Sequence, residues 1–272
     1  MTGPFAYRES YTNAELGKYI KKYWVLDNSL NSQALVNKSV VPNGSFNIAF
    51  ISGGGIAITH HGYTQTTLKE GVYLCGQLKS SVEICLNPYS KITLVQLYPW
   101  TVAMFSNFPQ QQSANQYIPL EEINAQLCRN LKGVDFYDEA YIIDFFQQKF
   151  GAFLQKNTSS YIVEEVSSLI KNSKGEINIR EIAKSLRCST RLIEKKFNLS
   201  VGMSPKEFST IIKIRNLISS LAQKQTPQSM AQLALEYGFY DQAHFIKTFK
   251  KIAQISPGKF EAGKYLLALQ DT

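Results

Sequence analysis

Towards the end of the chain, apolar residues recur at helical intervals in the same arrangement twice over. Ile179, Ile182, Ala183 and Leu186 fall at i, i+3, i+4 and i+7, the period of a helix that buries one face. Ser189 follows as an N-cap, a hydroxyl able to accept an orphan backbone N–H of the next helix. Leu192, Ile193 and Phe197 carry the buried face onward, with Thr190, Arg191, Glu194 and Lys195 outward. The pattern returns with Met230, Leu233, Ala234 and Tyr237. Gly238 then ends the helix where a residue without Cβ most easily takes a positive φ, Asp241 caps the next one, and Phe245 and Phe249 anchor it. Gln242, Ala243, Ile246 and Lys247 face away from the anchors. Helix, tight turn and a second helix with a basic end is the helix-turn-helix pattern. Between the two units, Pro205 to Gln223 places Phe208, Ile211, Ile212, Arg215, Leu217, Ile218 and Leu221 at mostly helical intervals. At about 1.5 Å per residue this connecting helix is a rod of roughly 28 Å. That length suits two recognition helices entering successive major-groove segments about 34 Å apart.

The first half of the chain has a different period. Tyr19–Leu26, Leu35–Val41, Phe46–Ile51, Ile56–Thr59, Val72–Cys75, Val82–Leu86 and Ile92–Tyr98 are short β-branched and aromatic runs separated by Gly, Asn, Pro and Ser clusters, which predicts strands of a sandwich or small barrel. Thr101–Ser106 and Leu120–Leu127 are expected as short helices. Over 138–153 a wide apolar stripe of Tyr141, Ile142, Phe145, Phe146 and Phe150 fits either a dimerisation helix or one packed on its own β domain. The polar run over 156–160 is the linker expected between a β-rich sensor or dimerisation domain, 1–155, and a helical domain, 161–272, whose first helix is Tyr161–Lys171. The fold class is therefore α+β in two domains, β-rich with flanking helices and then all-α.

Charge divides at the same boundary. Residues 156–272 hold 18 Lys+Arg against 10 Asp+Glu, whereas residues 1–155 hold 11 of each. All of the net charge of +8 thus lies with the helix-turn-helix units, as phosphate neutralisation requires. Cys75, Cys85, Cys128 and Cys188 form no C-x-x-C pair and no zinc-ribbon spacing. Cys75 and Cys85 fit either a redox pair across a hairpin or ordinary reduced core cysteines. His60-His61 fits a loop-exposed pair better than a metal site. No catalytic cluster, metal set or cofactor motif is present. No apolar run is long enough to span a bilayer, and the start lacks the basic n-region of a signal peptide, so a cytoplasmic location with no membrane partner is expected.

Over roughly Val163 to Phe260 the chain resembles the AraC/XylS family of bacterial transcription regulators. The resemblance is carried by Ala183, Ser189, Leu192, Phe197, Gly202-Met203-Ser204-Pro205 and Arg215, then by Ala234, Gly238-Phe239, Asp241-Gln242, Phe245, Phe249-Lys250-Lys251 and Ser256-Pro257. It departs at Gln254, where the family usually has glycine, at Phe260-Glu261, and at Ser219. The resemblance implies a cupin-like sensor barrel before the DNA-binding domain. It places base-reading roles on Arg191, Glu194 and Lys195 in the first unit, and on Gln242, Ala243, Ile246 and Lys247 in the second. Arg191 suits guanine, Gln242 adenine, Glu194 cytosine, and Ala243 or Ile246 a thymine methyl. Thr190, Lys196, Lys250 and Lys251 suit phosphate, and His244 suits either phosphate or packing against the turn. The implied partners are double-stranded DNA, a small-molecule effector and RNA polymerase; monomer and homodimer are both compatible with two recognition helices per chain. An architectural DNA-binding protein and an enzyme fused to a DNA-targeting module remain alternatives.

Overall fold

The computed structural model describes residues 5–60, 64–155, 158–223 and 229–265. Ten strands come first: β1 (Ala6–Ser10), β2 (Ile20–Asp27), β3 (Leu35–Val40), β4 (Phe46–Ser52), β5 (Ile56–His60), β6 (Thr64–Leu68), β7 (Gly71–Cys75), β8 (Val82–Leu86), β9 (Lys91–Leu97) and, after helix α1 (Val102–Phe105), β10 (Tyr117–Pro119). They form two antiparallel sheets, one ordered β1-β2-β9-β4-β7-β10 and the other β3-β8-β5-β6. The expectation of sandwich or barrel resolves to a sandwich.

The larger sheet is buried on both faces, and this explains the near-continuous apolar runs of its inner strands. Along β4, Phe46, Ile48 and Phe50 point to one core while Ala49 and Ile51 point to the other. Trp24, Leu26, Ala49, Ile51, Ile92 and Leu94 face Ile56, Ile58, Ile84 and Leu86 of the smaller sheet. Three strands escape the sequence pattern: β1, β6 and β10. Each lies at a sheet edge, where polar side chains and short lengths are the rule, so they carry no apolar signal.

The outer face of the larger sheet is covered by α2 (Leu120–Ile123), α3 (Ala125–Asn130) and α4 (Glu139–Lys149). The single helix expected over Leu120–Leu127 breaks at Asn124, whose side chain caps α3 by accepting from the Leu127 N–H. Asp138 caps α4 in the same way, and a 3-10 turn over Phe150–Phe153 ends the region. Ile142, Phe145, Phe146 and Phe150 are buried against the sheet, Phe146 edge-on to Phe50 at 5.9 Å. The apolar stripe is therefore spent within the chain. Glu139 pins the helix through Arg8 and Lys91, each at 2.7 Å. Burial alone would raise the Glu139 carboxyl, but those two cations outweigh it and hold it below the ordinary carboxylate range.

Of the expected linker, 156–157 lie outside the described residues, and Thr158 to Ser160 open α5 (Thr158–Asn172). Small polar residues favour helix starts as much as coil. Then come α6 (Ile179–Ser185), α7 (Thr190–Val201), α8 (Pro205–Gln223), α9 (Met230–Glu236) and α10 (Gln242–Ala253).

The sandwich and the helices share a core. Val41, Trp100 and Met104 join Phe197, Phe208 and Leu217 in one buried cluster. The Ser81 N–H donates to the Ile252 carbonyl at 2.7 Å, Lys79 pairs with Glu207 at 3.5 Å, and Lys38 donates to the Gly263 carbonyl at 2.9 Å. Cys75 and Cys85 lie in different sheets, so the hairpin pairing does not exist. His60 ends β5 rather than sitting in a loop, its ring nitrogen 3.2 Å from the Tyr117 hydroxyl. His61 lies outside the described residues.

Candidate nucleic-acid interface

Helix α6 starts at Asn178, whose side chain accepts from the Arg180 N–H, and buries Ile182 and Ala183. The chain turns through Arg187 at φ 50°. Ser189 accepts from the Leu192 N–H at 3.2 Å and starts α7. Ile193, Phe197 and Val201 form the buried stripe of α7, with Phe197 edge-on to Phe208 of α8 at 5.2 Å. Leu192, expected in that stripe, is 36% exposed. It lies about 100° around the axis from Ile193, beyond the stripe's edge.

The second unit repeats this construction. Ser229 and Gln232 form a reciprocal capping box on α9, which buries Leu233 and Ala234. Gly238 turns the chain at φ 59°, and Asp241 accepts from the His244 N–H at 2.7 Å to start α10. Phe245, Phe249, Ile252 and Ala253 face inward. Lys213 of α8 braces the turn, its amine 3.3 Å from the Gly238 carbonyl and 5.2 Å from the Phe239 ring. Burial lowers the pKa of that amine, against the pull of Glu176.

Arg191, Glu194 and Lys195 stand exposed on α7, as do Gln242, Ala243 and Lys247 on α10. Ile246 differs from its neighbours: it is half-buried and packs against the core, because it lies only about 60° around the axis from the Phe245 and Phe249 stripe. Thr190 and Lys196 are half-buried, and Lys250 and Lys251 are exposed in the last turn of α10, where a cation also complements the carbonyl end of the helix. Neither recognition helix has an acidic residue in its first turn, but Asp241 already places a carboxylate on the N-terminus of α10, so it is the Ser189-capped α7 whose N-terminus keeps the partial positive charge that favours an anion. An open groove runs between the units. Thr190 and Glu194 line it on one side, His244 and Thr248 on the other, with Arg180, Lys206 and Lys213 along its floor and rim. His244 is exposed with its ring 5.6 Å from Phe239, so it both packs against the turn and faces the groove.

Two residues on this face escape the sequence reading. Tyr240 is 90% exposed at the turn before Asp241, an aromatic where a buried one would be the rule. Arg180 is exposed in the first turn of α6, where the helix dipole disfavours a cation.

Residues 182–263 match a family described as a helix-turn-helix domain, and residues 10–119 match a domain of unknown function (DUF6597). The chain is 30% identical over 95 residues to the HTH-type transcriptional regulator MtrA of Neisseria gonorrhoeae, covering 35% of this chain and 31% of that protein. It is 31% identical over 105 residues to the Msm operon regulatory protein of Streptococcus mutans, covering 38% and 37% respectively. The chain thus spans about a third of the length of the curated relatives it matches. Among solved structures, an apo ToxT variant from Vibrio cholerae aligns over 92% of this chain and 98% of its own at 17% identity and a TM-score of 0.45.

Proposed function

We propose that this chain, which carries an AraC-type helix-turn-helix domain in its last third, is a sequence-specific transcription regulator that binds two adjacent major-groove segments of double-stranded DNA. The observation that carries the reading is the pair of capped recognition helices, α7 and α10, bordering one groove and exposing hydrogen-bonding side chains near their N-termini. Arg191, Glu194 and Lys195 read bases from the first unit; Gln242, Ala243 and Lys247 do so from the second, with Ile246 contributing only its exposed edge. Thr190, Lys196, Lys250 and Lys251 take phosphates, joined by Arg180 and Tyr240. The surplus of 18 Lys+Arg over 10 Asp+Glu in residues 156–272 supports the same assignment, as does the similarity to transcriptional and operon regulators. The sandwich is the effector-responsive half, and RNA polymerase is the partner through which binding acts.

Selection of genomic fragments on the purified chain, followed by footprinting at physiological salt, tests the proposal. The expected result is a protected site with two short recurring blocks about one helical turn apart. Uniform enrichment of all fragments would overturn it in favour of an architectural protein that grips phosphate alone.

A further inference from the structure

The sandwich is not filled. Between its sheets lies a cavity with about 90 Å³ open to the centre of a water-sized sphere, room for a molecule of roughly one aromatic ring. Trp24, Ala49, Ile58, Ile84 and Leu94 are among its walls, and none of the described residues lining it is Lys, Arg, Asp, Glu or His. Its two titratable neighbours stay neutral: burial pushes the Cys75 thiol up to about 12 and raises the Tyr117 phenol. A charged group brought here would lose its hydration with nothing to pair with. One polar group awaits a partner. Ser45 lines the cavity at 5% exposure, and its buried hydroxyl has no hydrogen bond among the described residues. The neighbouring Asn47 is engaged, accepting from Trp24 Nε1 at 3.2 Å.

Part of the cavity wall comes from the segments that grip the helical domain. Val41, Asn43 and Ser45 come from the β3–β4 loop, where Gly44 sits so close to the Phe208 ring that a Cβ there would lie 2.4 Å from it. Gly76 and Leu78 come from the β7–β8 connection, which leads into Val82 at the start of β8. That connection holds α8 through Lys79–Glu207 and the end of α10 through the Ser81–Ile252 hydrogen bond. We infer that the cavity binds a small uncharged, largely apolar molecule that offers one hydrogen bond to Ser45, and that occupancy shifts these two loops and with them the seating of α8 and α10. The second half of this inference rests on the DNA-binding reading above; the first half does not.

The test uses the full chain and fluorine NMR with two ring-sized probes, 2-fluorobenzyl alcohol and 2-fluorobenzoate. The alcohol is expected to bind at least about tenfold more tightly than the carboxylate, and its binding is expected to vanish in Ala49→Phe, which fills the cavity. Equal binding of the two probes, absence of alcohol binding at millimolar concentration, or unchanged binding in a folded Ala49→Phe variant overturns the site. Should Ala49→Phe fail to fold, Ser45→Ala removes only an unpartnered hydroxyl; it is expected to weaken the alcohol about fivefold, and unchanged affinity overturns the assigned contact. Anisotropy of a labelled duplex from the selection, with and without saturating alcohol, then reads the coupling. A several-fold change in DNA affinity that disappears in the cavity variant supports it, and no change overturns it. A chain that binds the alcohol yet selects no DNA sequence sinks the regulator reading and leaves the cavity site standing.

Discussion

The two helix-turn-helix units follow the same backbone path but place their glycines at opposite ends. In the first, the left-handed residue between the helices is Arg187, at φ 50°, and the one that ends the recognition helix is Gly202, at φ 81°. In the second the order is reversed, with Gly238 at φ 59° and Gln254 at φ 65°. The surroundings explain the exchange. A Cβ on Gly202 would lie 2.2 Å from the Gln110 carbonyl oxygen, whereas the nearest atom to a Cβ on Gly238 is the Lys213 amine at 3.4 Å. Gln254 has room, and its side chain donates to the Lys251 carbonyl at 2.7 Å. The first unit is therefore seated against the sandwich through the end of its recognition helix, and there glycine is required twice over, by φ and by space. The second unit meets only the conformational requirement, which an ordinary residue satisfies at a modest cost.

Substitution at the two glycines should separate these requirements. Gly202→Ala combines a disfavoured φ with a backbone clash and is expected to cost about 3 kcal/mol or more, read by urea unfolding. Gly238→Ala carries only the disfavoured φ and is expected to cost about 1 kcal/mol. Equal losses would mean that the seating on Gln110 contributes nothing. The units also differ in the chemistry they expose: Arg191, Glu194 and Lys195 on α7, Gln242 and Ala243 near the start of α10. Arg191→Ala should cost about 1–3 kcal/mol at one base pair and relax preference there. Lys250→Ala should weaken binding to all sequences alike and flatten the salt dependence by about one phosphate. Titration of matched and single-mismatch duplexes at two salt concentrations checks both, and a uniform loss in both variants would refute the division into reading and positioning roles. The smallest effect is a gain. Gln254→Gly relieves the left-handed cap of α10 and should stabilise the chain by up to about 1 kcal/mol, seen as a higher urea midpoint; a loss would show that the Gln254–Lys251 hydrogen bond outweighs the strain.

Much of the helical half was legible because its signals are local. Ser189 and Asp241 are caps whose partners lie three residues away, and the apolar period locates α8 from Pro205 to Gln223, bounds the structure reproduces. The strands of the sandwich core read equally well, since Val82–Leu86 and its neighbours are apolar on the faces they bury. Two misses are local, the break at Asn124 and the helix start at Thr158; the others depend on neighbours distant in the chain. Edge strands β1, β6 and β10 owe their form to the strand beside them. Ile246 is half-buried, and Leu192 exposed, by the shape of the core they border.

Sequence alone thus determined the helices around the two units and the core strands, the caps of α7 and α10, and which side chains stand at their start, because periodicity and capping act within a few residues. Tertiary structure alone decided that 138–153 covers its own sheet, that Cys75 and Cys85 are apart, that an uncharged cavity lies between the sheets, and that Gly44 meets Phe208 and Ser81 holds Ile252. Contacts between residues more than 150 positions apart leave no local pattern, since what makes them favourable is the burial and hydrogen bonding available only once both surfaces exist.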